Sequence, residues 1–297
     1  MTRSAHVPLR IDLAGGWTDV PAFADAESGA VVSMTIDKHV RATADDKGAI
    51  TFARDIAAPG LGASACEHVL TEALRNPDAD LDDIAEAAFA AESAQGVISG
   101  RQDQYAACYG GLNLLSFPSA EQRRAERART GDDALPVRIE PLVLPEPAMK
   151  ALVERLVLVD SGVPRLSGEI HRHVWEAFAR HDDTVTGALL ALRQYGRAMR
   201  DALVASDFGG VRQVMNENWL QQKRLHPSVT NDTVEAIFGT ATASGATAGK
   251  ACGAGGGGAL VFYASSAESA IALRRALSEA GVSVIPFGFE AEGLVEE

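Results

Sequence analysis

The chain has 297 residues, of which 46% are hydrophobic and 23% charged, so it is long and apolar enough to bury a sizeable core. This length favours two lobes, and no proline stretch or charge run suggests an extended or disordered body. The formal net charge of −13 and the sequence pI near 5.0 oppose binding to a nucleic-acid backbone, which requires clustered positive charge.

The start of the chain and its cysteines bear on where the protein works. Residues 1–6 lead directly into a strand-like segment without the apolar core of a signal peptide, and no uncharged apolar stretch reaches about 18 residues. We therefore expect a cytoplasmic protein that does not bind membranes. The three cysteines, Cys66, Cys108 and Cys252, are widely spaced and lack any CxxC pair, which is typical of reduced structural thiols.

The first half of the chain is predicted to form an antiparallel sheet with helices packed on it. Alternating or β-branched patterns typical of strands occur at residues 7–14, 29–44, 50–53 and 112–117. Apolar residues at spacings of three and four predict helices at residues 64–75 and 81–93. Residues 119–133 are rich in arginine, and we interpret them as a solvated surface excursion.

The second half changes character and indicates a second lobe. Strands are predicted at residues 137–144 and 155–160, after which residues 168–225 are helical. The last part is predicted as helix, glycine cluster, strand, helix and strand, at residues 229–244, 249–258, 259–264, 267–280 and 282–286. This order fits a split βαβ, ferredoxin-like lobe. We place the two lobes at residues 1–155 and 156–297.

A glycine-rich segment immediately precedes the first predicted helix and ends at Ser64. Its glycines, Gly60 and Gly62, let the backbone approach a ligand closely, while the first N–H groups and the positive dipole end of the helix favour an anion. A phosphate is the simplest such anion. The alternative is an ordinary helix start in which Ser64 is only the N-cap.

Two carboxylates, Glu92 and Asp103, stand near the end of the second predicted helix and just beyond it. Two acids in different surroundings suit phosphoryl transfer, because one can hold Mg²⁺ while the other orients or deprotonates the attacking hydroxyl. The alternative is a solvated helical glutamate and an aspartate that caps a helix beginning at Gln104.

The most unusual stretch is the glycine cluster, with GxGxxG at Gly253, Gly255 and Gly258. This pattern raises a dinucleotide-binding hypothesis and hence an oxidoreductase. However, a Rossmann turn follows a strand and opens a helix, whereas this segment is predicted to follow a helix and open a strand. Ala251 after Lys250 also breaks the P-loop pattern. The remaining interpretation is a glycine loop whose backbone approaches a ligand or a neighbouring lobe closely.

Taken together, these segments resemble the GHMP kinase superfamily, which includes galactokinase, homoserine kinase and mevalonate kinase. Residues 8–19 (PLRIDLAGGWTD) look like its first motif, residues 60–65 (GLGASA) like its phosphate loop, and residues 250–258 like its third motif, in the family's order. Residues 100–107 (GRQDQYAA) with residues 110–113 (GGLN) are similar to the heptose 7-phosphate kinase branch, while the first motif also resembles fucokinases.

The resemblance implies an α+β fold, with a first lobe of the ribosomal S5 domain 2 type, a ferredoxin-like second lobe, and ATP plus Mg²⁺ in the cleft. It implies catalytic roles for Asp103, which activates the sugar hydroxyl, and for Arg10, which lies beside it and keeps it ionised. It places ATP phosphates on Gly60, Leu61, Gly62, Ala63 and Ser64, and Mg²⁺ on Ser64 and Glu92. The substrate residues implied by the resemblance or expected from their charge are Gly16, Trp17, Asp19, Arg101, Arg165, Gly255, Gly256 and Gly257.

The expected activity is transfer of the ATP γ-phosphoryl group to a hydroxyl of a heptose 7-phosphate or related sugar. The anomeric hydroxyl is the favoured acceptor. Arg101 and Arg165 are expected to bind a sugar phosphate. Small molecules are the expected partners, with no nucleic acid or membrane, and a homodimer is left open. The alternatives are a kinase-derived sugar- or nucleotide-binding protein with little turnover, and a fucokinase-like hexose 1-kinase.

Two departures from the family pattern affect nucleotide binding. Only 59 residues precede Gly60, fewer than is usual, so we expect part of the adenine wall to be missing. Ser64 stands between Ala63 and Ala65 where relatives have consecutive serines, which leaves fewer hydroxyls for phosphate or metal.

Overall fold

The computed structural model describes residues 3–131, 135–163 and 167–297, which form two antiparallel sheets with helices packed against them. The strands are β1 (Arg3–Ala14), β2 (Gly29–Ala44), β3 (Ile50–Arg54), β4 (Leu112–Phe117), β5 (Arg138–Pro141), β6 (Leu156–Asp160), β7 (Ala246–Ala251), β8 (Ala259–Ala264), β9 (Ser283–Ile285) and β10 (Val295–Glu296). The helices are α1 (Pro21–Glu27), α2 (Ala63–Arg75), α3 (Leu81–Ala94), α4 (Gln102–Tyr109), α5 (Ala120–Thr130), α6 (Glu146–Arg155), α7 (Ser167–Ala179), α8 (Asp183–Val204), α9 (Phe208–Leu225), α10 (Asp232–Ala243) and α11 (Ala267–Glu279).

The first sheet has the strand order β10-β1-β2-β4-β5, with β3 paired to the far part of β2. Strands β1 and β2 form a long antiparallel pair that runs from Arg3↔Ala44 to Ala14↔Val32. Helices α2, α4, α8 and α9 all pack against β1, so the last eight residues of this strand are buried. Arg10 and Asp12 are among them, and buried charges require partners.

The second sheet has the order β7-β8-β6-β9. Numbered along the chain, this is 2-3-1-4, the arrangement of a ferredoxin-like βαββαβ lobe, as the sequence predicts. Helices α7 to α10 form the first crossover and α11 the second. The two-lobe division at residue 155 stays a prediction: β6 opens the second sheet at Leu156, yet α8 packs against β1 and β2, and β10 returns to pair with β1.

The sequence patterns missed several elements. Strand β7 was not predicted, because its residues (ATAGKA) are small and lack apolar alternation, and pairing with β8 defines it. The glycine cluster therefore connects two strands and does not directly follow a helix. The predicted strand 137–144 ends at Pro141, and helix α6 follows with a proline in its first turn. Helix α1 is only seven residues long.

The arginine-rich excursion is solvated, as expected, but it is helical. In α5 no residue is buried, and a reciprocal capping box between Ser119 and Gln122 fixes its start. Residues 132–134 lie outside the described residues. Cys66, Cys108 and Cys252 are buried, and they form no disulfide within the part of the chain that the structure describes.

Within the three described ranges, no helix combines the length and the apolar character that a membrane crossing needs.

Candidate active site

A cavity of about 670 Å³ lies where the two lobes meet. The first lobe contributes the end of β1, the loop before α2, the end of α3 and the start of α4. The second lobe contributes residues of α7 and of the segment after β7. The predicted site residues that line it are Arg10, Trp17, Asp19, Gly60, Gly62, Ala63, Ser64, Glu92 and Asp103. Distant parts of the sequence therefore meet in one place.

The wall formed by the start of α2 is open to a ligand. Gly62 is the N-cap residue, its φ is 87°, and no side chain caps the helix. Ser64 is exposed within the first turn, so the interpretation of Ser64 as the N-cap is wrong. A Cβ on Gly62 would lie 3.4 Å from Cγ of Asp103, at a φ that favours glycine. The unpaired first-turn N–H groups suit an anion.

Arg10 connects this loop to Asp103. Its Nε and Nη2 lie 2.7 Å and 2.6 Å from Oδ1 of Asp103, and its Nη1 donates to the Gly60 carbonyl oxygen over 2.6 Å. Burial disfavours the charged guanidinium, but the carboxylates of Asp103 and Asp12 outweigh burial and raise the pKa of Arg10. The cation therefore fixes both the carboxylate and the loop in one geometry.

Asp103 lies in the first turn of α4, one residue after the helix begins at Gln102. The interpretation that it caps a helix beginning at Gln104 is therefore wrong. Its side chain keeps 27% of its surface exposed, on the cavity. A carboxylate there is favoured by the helix dipole and is accessible to a substrate hydroxyl.

Glu92, the second carboxylate, is buried at the end of α3. Ser99 Oγ and Gln104 Nε2 each donate to its Oε2 over 2.9 Å. Burial, and next the charge of Asp103, raise the pKa of Glu92, and the hydroxyls of Ser99 and Ser64 partly offset this. The two acids thus differ in environment, as the division of labour in phosphoryl transfer requires.

Asp19 is also buried on the cavity wall. The backbone N–H and the side-chain Nε2 of Gln102 each donate to its carboxylate over 3.2 Å. A Cβ on Gly100 would lie 1.8 Å from Asp19 Oδ2, so this close approach requires glycine. Burial, and next the charge of Asp103, raise the pKa of Asp19 to about 6.

Asp19 makes folding stability depend on pH. Because its pKa is higher in the folded protein than in the unfolded chain, the stability that its neutral form provides is lost as pH rises from about 4 to about 6. Relative to the Asp19→Asn variant, wild type should therefore lose about 1–3 kcal/mol of unfolding free energy between about pH 4 and pH 7. Urea unfolding of both proteins across this range measures the effect, and parallel pH profiles would contradict it.

Trp17 has a left-handed backbone, with φ 81°, and packs against the second lobe. Its ring stacks on His171 of α7 with centroids 4.3 Å apart, and His171 also lines the cavity. Gly16 adjoins Asp12, since a Cβ there would lie 2.3 Å from Asp12 Oδ2. Left-handed non-glycine residues are uncommon and cluster at functional sites.

A buried ion pair beneath the cavity escaped the sequence analysis. Lys250 Nζ donates to Asp12 Oδ2 over 2.7 Å and to the Asp12 carbonyl oxygen over 2.9 Å. The Gly253 N–H donates to Asp12 Oδ1 over 3.3 Å, and Gly253 lines the cavity. This pair ties β1 of the first sheet to β7 of the second. The available signals were Asp12, a charged residue within the predicted strand at residues 7–14, and Lys250 at the start of the glycine cluster.

Some predicted substrate residues lie away from the cavity. The Arg101 Nε donates to both oxygens of Glu86, and its guanidinium covers the ring of Phe89. The turn of Gly255, Gly256 and Gly257 packs against other residues of the second lobe. Gly253 and Ala254, just before this turn, line the cavity instead. Arg165 lies outside the described residues.

The glycine cluster also packs against the phosphate loop. The Ala259 N–H donates to the Pro59 carbonyl oxygen over 2.8 Å, and a Cβ on Gly258 would lie 2.5 Å from that oxygen. The sequence left two interpretations of this cluster, close approach to a ligand or to a neighbouring lobe. The close approach to the neighbouring lobe explains why a glycine stands at position 258. Because the cluster joins two antiparallel strands, it does not form the strand-to-helix turn of a dinucleotide-binding fold.

Comparisons with known proteins agree with this architecture. Residues 199–283 match the family model described as GHMP kinases C terminal. The chain is 26% identical to D-glycero-alpha-D-manno-heptose 7-phosphate kinase of Campylobacter jejuni over 355 aligned positions, which cover 99% of this chain and 98% of that protein. It is 27% identical to the bifunctional fucokinase/GDP-fucose pyrophosphorylase of Arabidopsis thaliana over 69% of this chain and 18% of that protein.

A crystal structure of a D-glycero-D-manno-heptose 1-phosphate kinase from Bacteroides thetaiotaomicron superposes with a TM-score of 0.75. The match covers 100% of this chain and 99% of that one at 21% identity, which confirms the predicted α+β GHMP kinase fold. The chain thus matches the C-terminal domain model of the GHMP kinases over residues 199–283 and is similar to a heptose phosphate kinase along nearly its full length.

Proposed function

We propose that the chain is an ATP-dependent sugar kinase. The acceptor hydroxyl loses its proton to Asp103 while its oxygen forms a bond to the γ-phosphorus, and the bond from that phosphorus to the β–γ bridging oxygen breaks to release ADP. The observation that carries this proposal is the double role of Arg10, which binds both Asp103 and the Gly60 carbonyl oxygen. One cation thereby sets the distance between base and phosphate loop.

The start of α2 supports the phosphate half of the proposal. First-turn N–H groups and the exposed hydroxyl of Ser64 face the ligand without a competing side-chain cap. The cavity extends beyond this loop to Arg54, Ala57, Val97 and Ile98, which offer a surface for the adenine of the nucleotide.

Ser64 and Glu92 fit a magnesium ion held mainly by nucleotide phosphates. Mg²⁺ prefers hard oxygen ligands and uses one or two protein groups in such sites. Residues 3–131, 135–163 and 167–297 contain no cluster of three or more histidine, cysteine, aspartate or glutamate side chains suited to a metal. The Ser64 hydroxyl and the Glu92 carboxylate therefore suit an ion that takes most of its other ligands from the nucleotide phosphates. Such an ion neutralises charge on the transferred phosphoryl group.

Because Ser64 and Glu92 are proposed to share one ion, their effects should not add. In a double-mutant cycle of Ser64→Ala and Glu92→Gln, we expect each single change to raise the Mg²⁺ concentration for half-maximal activity, and the double change to add little more. Titrating Mg²⁺ at saturating ATP measures this. Fully independent losses, with the Mg²⁺ requirement unchanged, would remove the shared-ion assignment.

For the acceptor we propose a heptose phosphate, with phosphorylation at the anomeric hydroxyl. The full-length kinase relative, which is named for a heptose 7-phosphate, supports this choice. On the second-lobe side Arg172 lines the cavity and offers positive charge for an acceptor phosphate. Arg101 lies outside the cavity lining, where it pairs with Glu86, whereas Arg172 is in the lining and forms an exposed pair with Glu176, so Arg172 takes its place in the proposal. We place the enzyme in the cytoplasm.

Two alternatives remain distinct from this proposal. A fucokinase-like hexose 1-kinase is favoured by the match to the Arabidopsis thaliana protein, and it predicts activity on a sugar without a phosphate. A binding protein without turnover predicts ligand affinity but no ADP.

Thermal unfolding with ATP and other nucleotides, with and without Mg²⁺, tests the nucleotide site. A ligand at about 100 times its Kd stabilises the folded protein by about 2.7 kcal/mol. We expect a shift with ATP that increases with Mg²⁺. No shift with any nucleotide would contradict the proposal.

A further inference from the structure

The carboxylate of Glu92 is held by two donors to which the proposed mechanism gives no role. Gln104 Nε2 and Ser99 Oγ each donate to Glu92 Oε2 over 2.9 Å. Both bonds end on the same oxygen. Hydrogen bonds to one oxygen fix how a carboxylate is turned and leave its second oxygen for another ligand.

Gln104 is the more unusual of the two donors, because it is completely buried in α4. Its Oε1 is buried without a hydrogen-bond partner among the described residues. Turning the amide over would place that oxygen against the Glu92 oxygen, and repulsion between two acceptors opposes this. An apolar side chain of the same length would pack here without an unpaired acceptor. The glutamine is therefore explained by its bond to Glu92 and not by packing.

Gln104 follows Asp103 directly in α4, and the two side chains leave the helix in different directions, since successive helical residues are rotated by about 100°. Asp103 accepts from Arg10, which also holds the Gly60 carbonyl oxygen. Gln104 reaches Glu92 near the end of α3. Both carboxylates line the cavity between the lobes. One helix therefore sets the positions of both acids.

We propose that Gln104 and Ser99 position the magnesium ligand Glu92: their bonds to Oε2 turn the carboxylate so that Oε1 binds the ion. Gln104 also ties the place of that ion to the base, because it adjoins Asp103 in α4. This inference rests on the proposed function, in which Ser64 and Glu92 hold the ion. Loss of a hydrogen bond to a ligating carboxylate typically lowers metal affinity by about 10- to 100-fold.

The test measures binding and needs no turnover. The probe is the non-hydrolysable β,γ-imido analogue of ATP, titrated by calorimetry once with saturating Mg²⁺ and once with EDTA. For wild type we expect Mg²⁺ to increase the affinity for the analogue. In Gln104→Met, which keeps the side-chain length and removes the donor, we expect this gain from Mg²⁺ to fall about tenfold. The affinity in EDTA should stay unchanged.

Tyr109→Phe is the matched control. The Tyr109 hydroxyl donates to Asp82 Oδ1 over 2.9 Å, so it too connects α4 to α3, but it does not contact Glu92. The phenylalanine variant should keep the wild-type gain from Mg²⁺. If Gln104 only held the two helices together, both variants should behave alike, and an equal loss of the gain in both would contradict the positioning role.

Ser99→Ala removes the second donor and keeps the test decisive if Gln104→Met folds poorly. We expect it also to lower the gain from Mg²⁺ about tenfold, with the affinity in EDTA unchanged. If wild type gains affinity from Mg²⁺ and the folded variants gain as much, the positioning role is wrong while the nucleotide and ion sites of the proposed function stand. If wild type binds the analogue equally well with Mg²⁺ and with EDTA, the shared-ion assignment fails and this inference fails with it.

Discussion

Replacing Asp103 with asparagine is expected to lower kcat by about a hundredfold or more while the protein stays folded and binds nucleotide as before. The change removes the proposed proton acceptor, and loss of a general base has an effect of this size. The amide oxygen of asparagine can still accept from Arg10, so the connection from Arg10 to the Gly60 carbonyl oxygen persists.

Steady-state ADP release and the ATP dissociation constant measure the two halves of this prediction. Asp201→Asn is a suitable control, because Asp201 is an exposed helix residue paired with Arg200 and lies away from the cavity. An Asp103→Asn enzyme with near wild-type turnover would remove Asp103 from the mechanism. Equal losses of turnover and ATP affinity would assign it a binding role instead.

The second large effect is expected at the ion pair between the lobes. Lys250→Met should destabilise the protein by about 3–5 kcal/mol, because removing one partner leaves the Asp12 carboxylate buried without its countercharge. Gly253 should also lose its fixed position, since its N–H donates to the same carboxylate. Activity is therefore expected to fall even at temperatures where the variant is folded.

Urea unfolding of Lys250→Met, with Lys150→Met as a control, measures the loss. Lys150 keeps 73% of its side chain exposed and forms a long helical ion pair with Glu154, so its replacement should cost less than about 1 kcal/mol. Asp12→Leu combined with Lys250→Met removes both charges and should recover much of the stability. If Lys250→Met were as stable as Lys150→Met, the pair would not hold the lobes together.

Local patterns in the sequence predicted much of the fold. Helix α2 and helix α3 agree with their predicted ranges to within one residue, because apolar spacing and alanine content both favour helix there. Strand β7 could not be predicted in this way. Its small residues form a strand only because β8 supplies hydrogen-bond partners, and such tertiary pairing is not written in local periodicity.

The candidate site shows the same limit more strongly. The resemblance placed Asp103 beside Arg10, and the structure brings them together across 93 residues of sequence. The pairing of Lys250 with Asp12 spans 238 residues and left no motif of its own. The role of Gln102 depends on how its amide turns toward Asp19, which only three-dimensional contacts define.

The most direct test of the central claim is phosphorus NMR of a reaction that contains the wild-type protein, ATP, Mg²⁺ and D-glycero-D-manno-heptose 7-phosphate. We predict a new anomeric phosphate resonance whose integrated intensity shows one phosphorylated sugar for each ADP formed. With Asp103→Asn we predict no new resonance over the same period. Binding of ATP without any sugar-dependent ADP, on this sugar or on L-fucose, would contradict the account and favour a binding protein derived from a kinase.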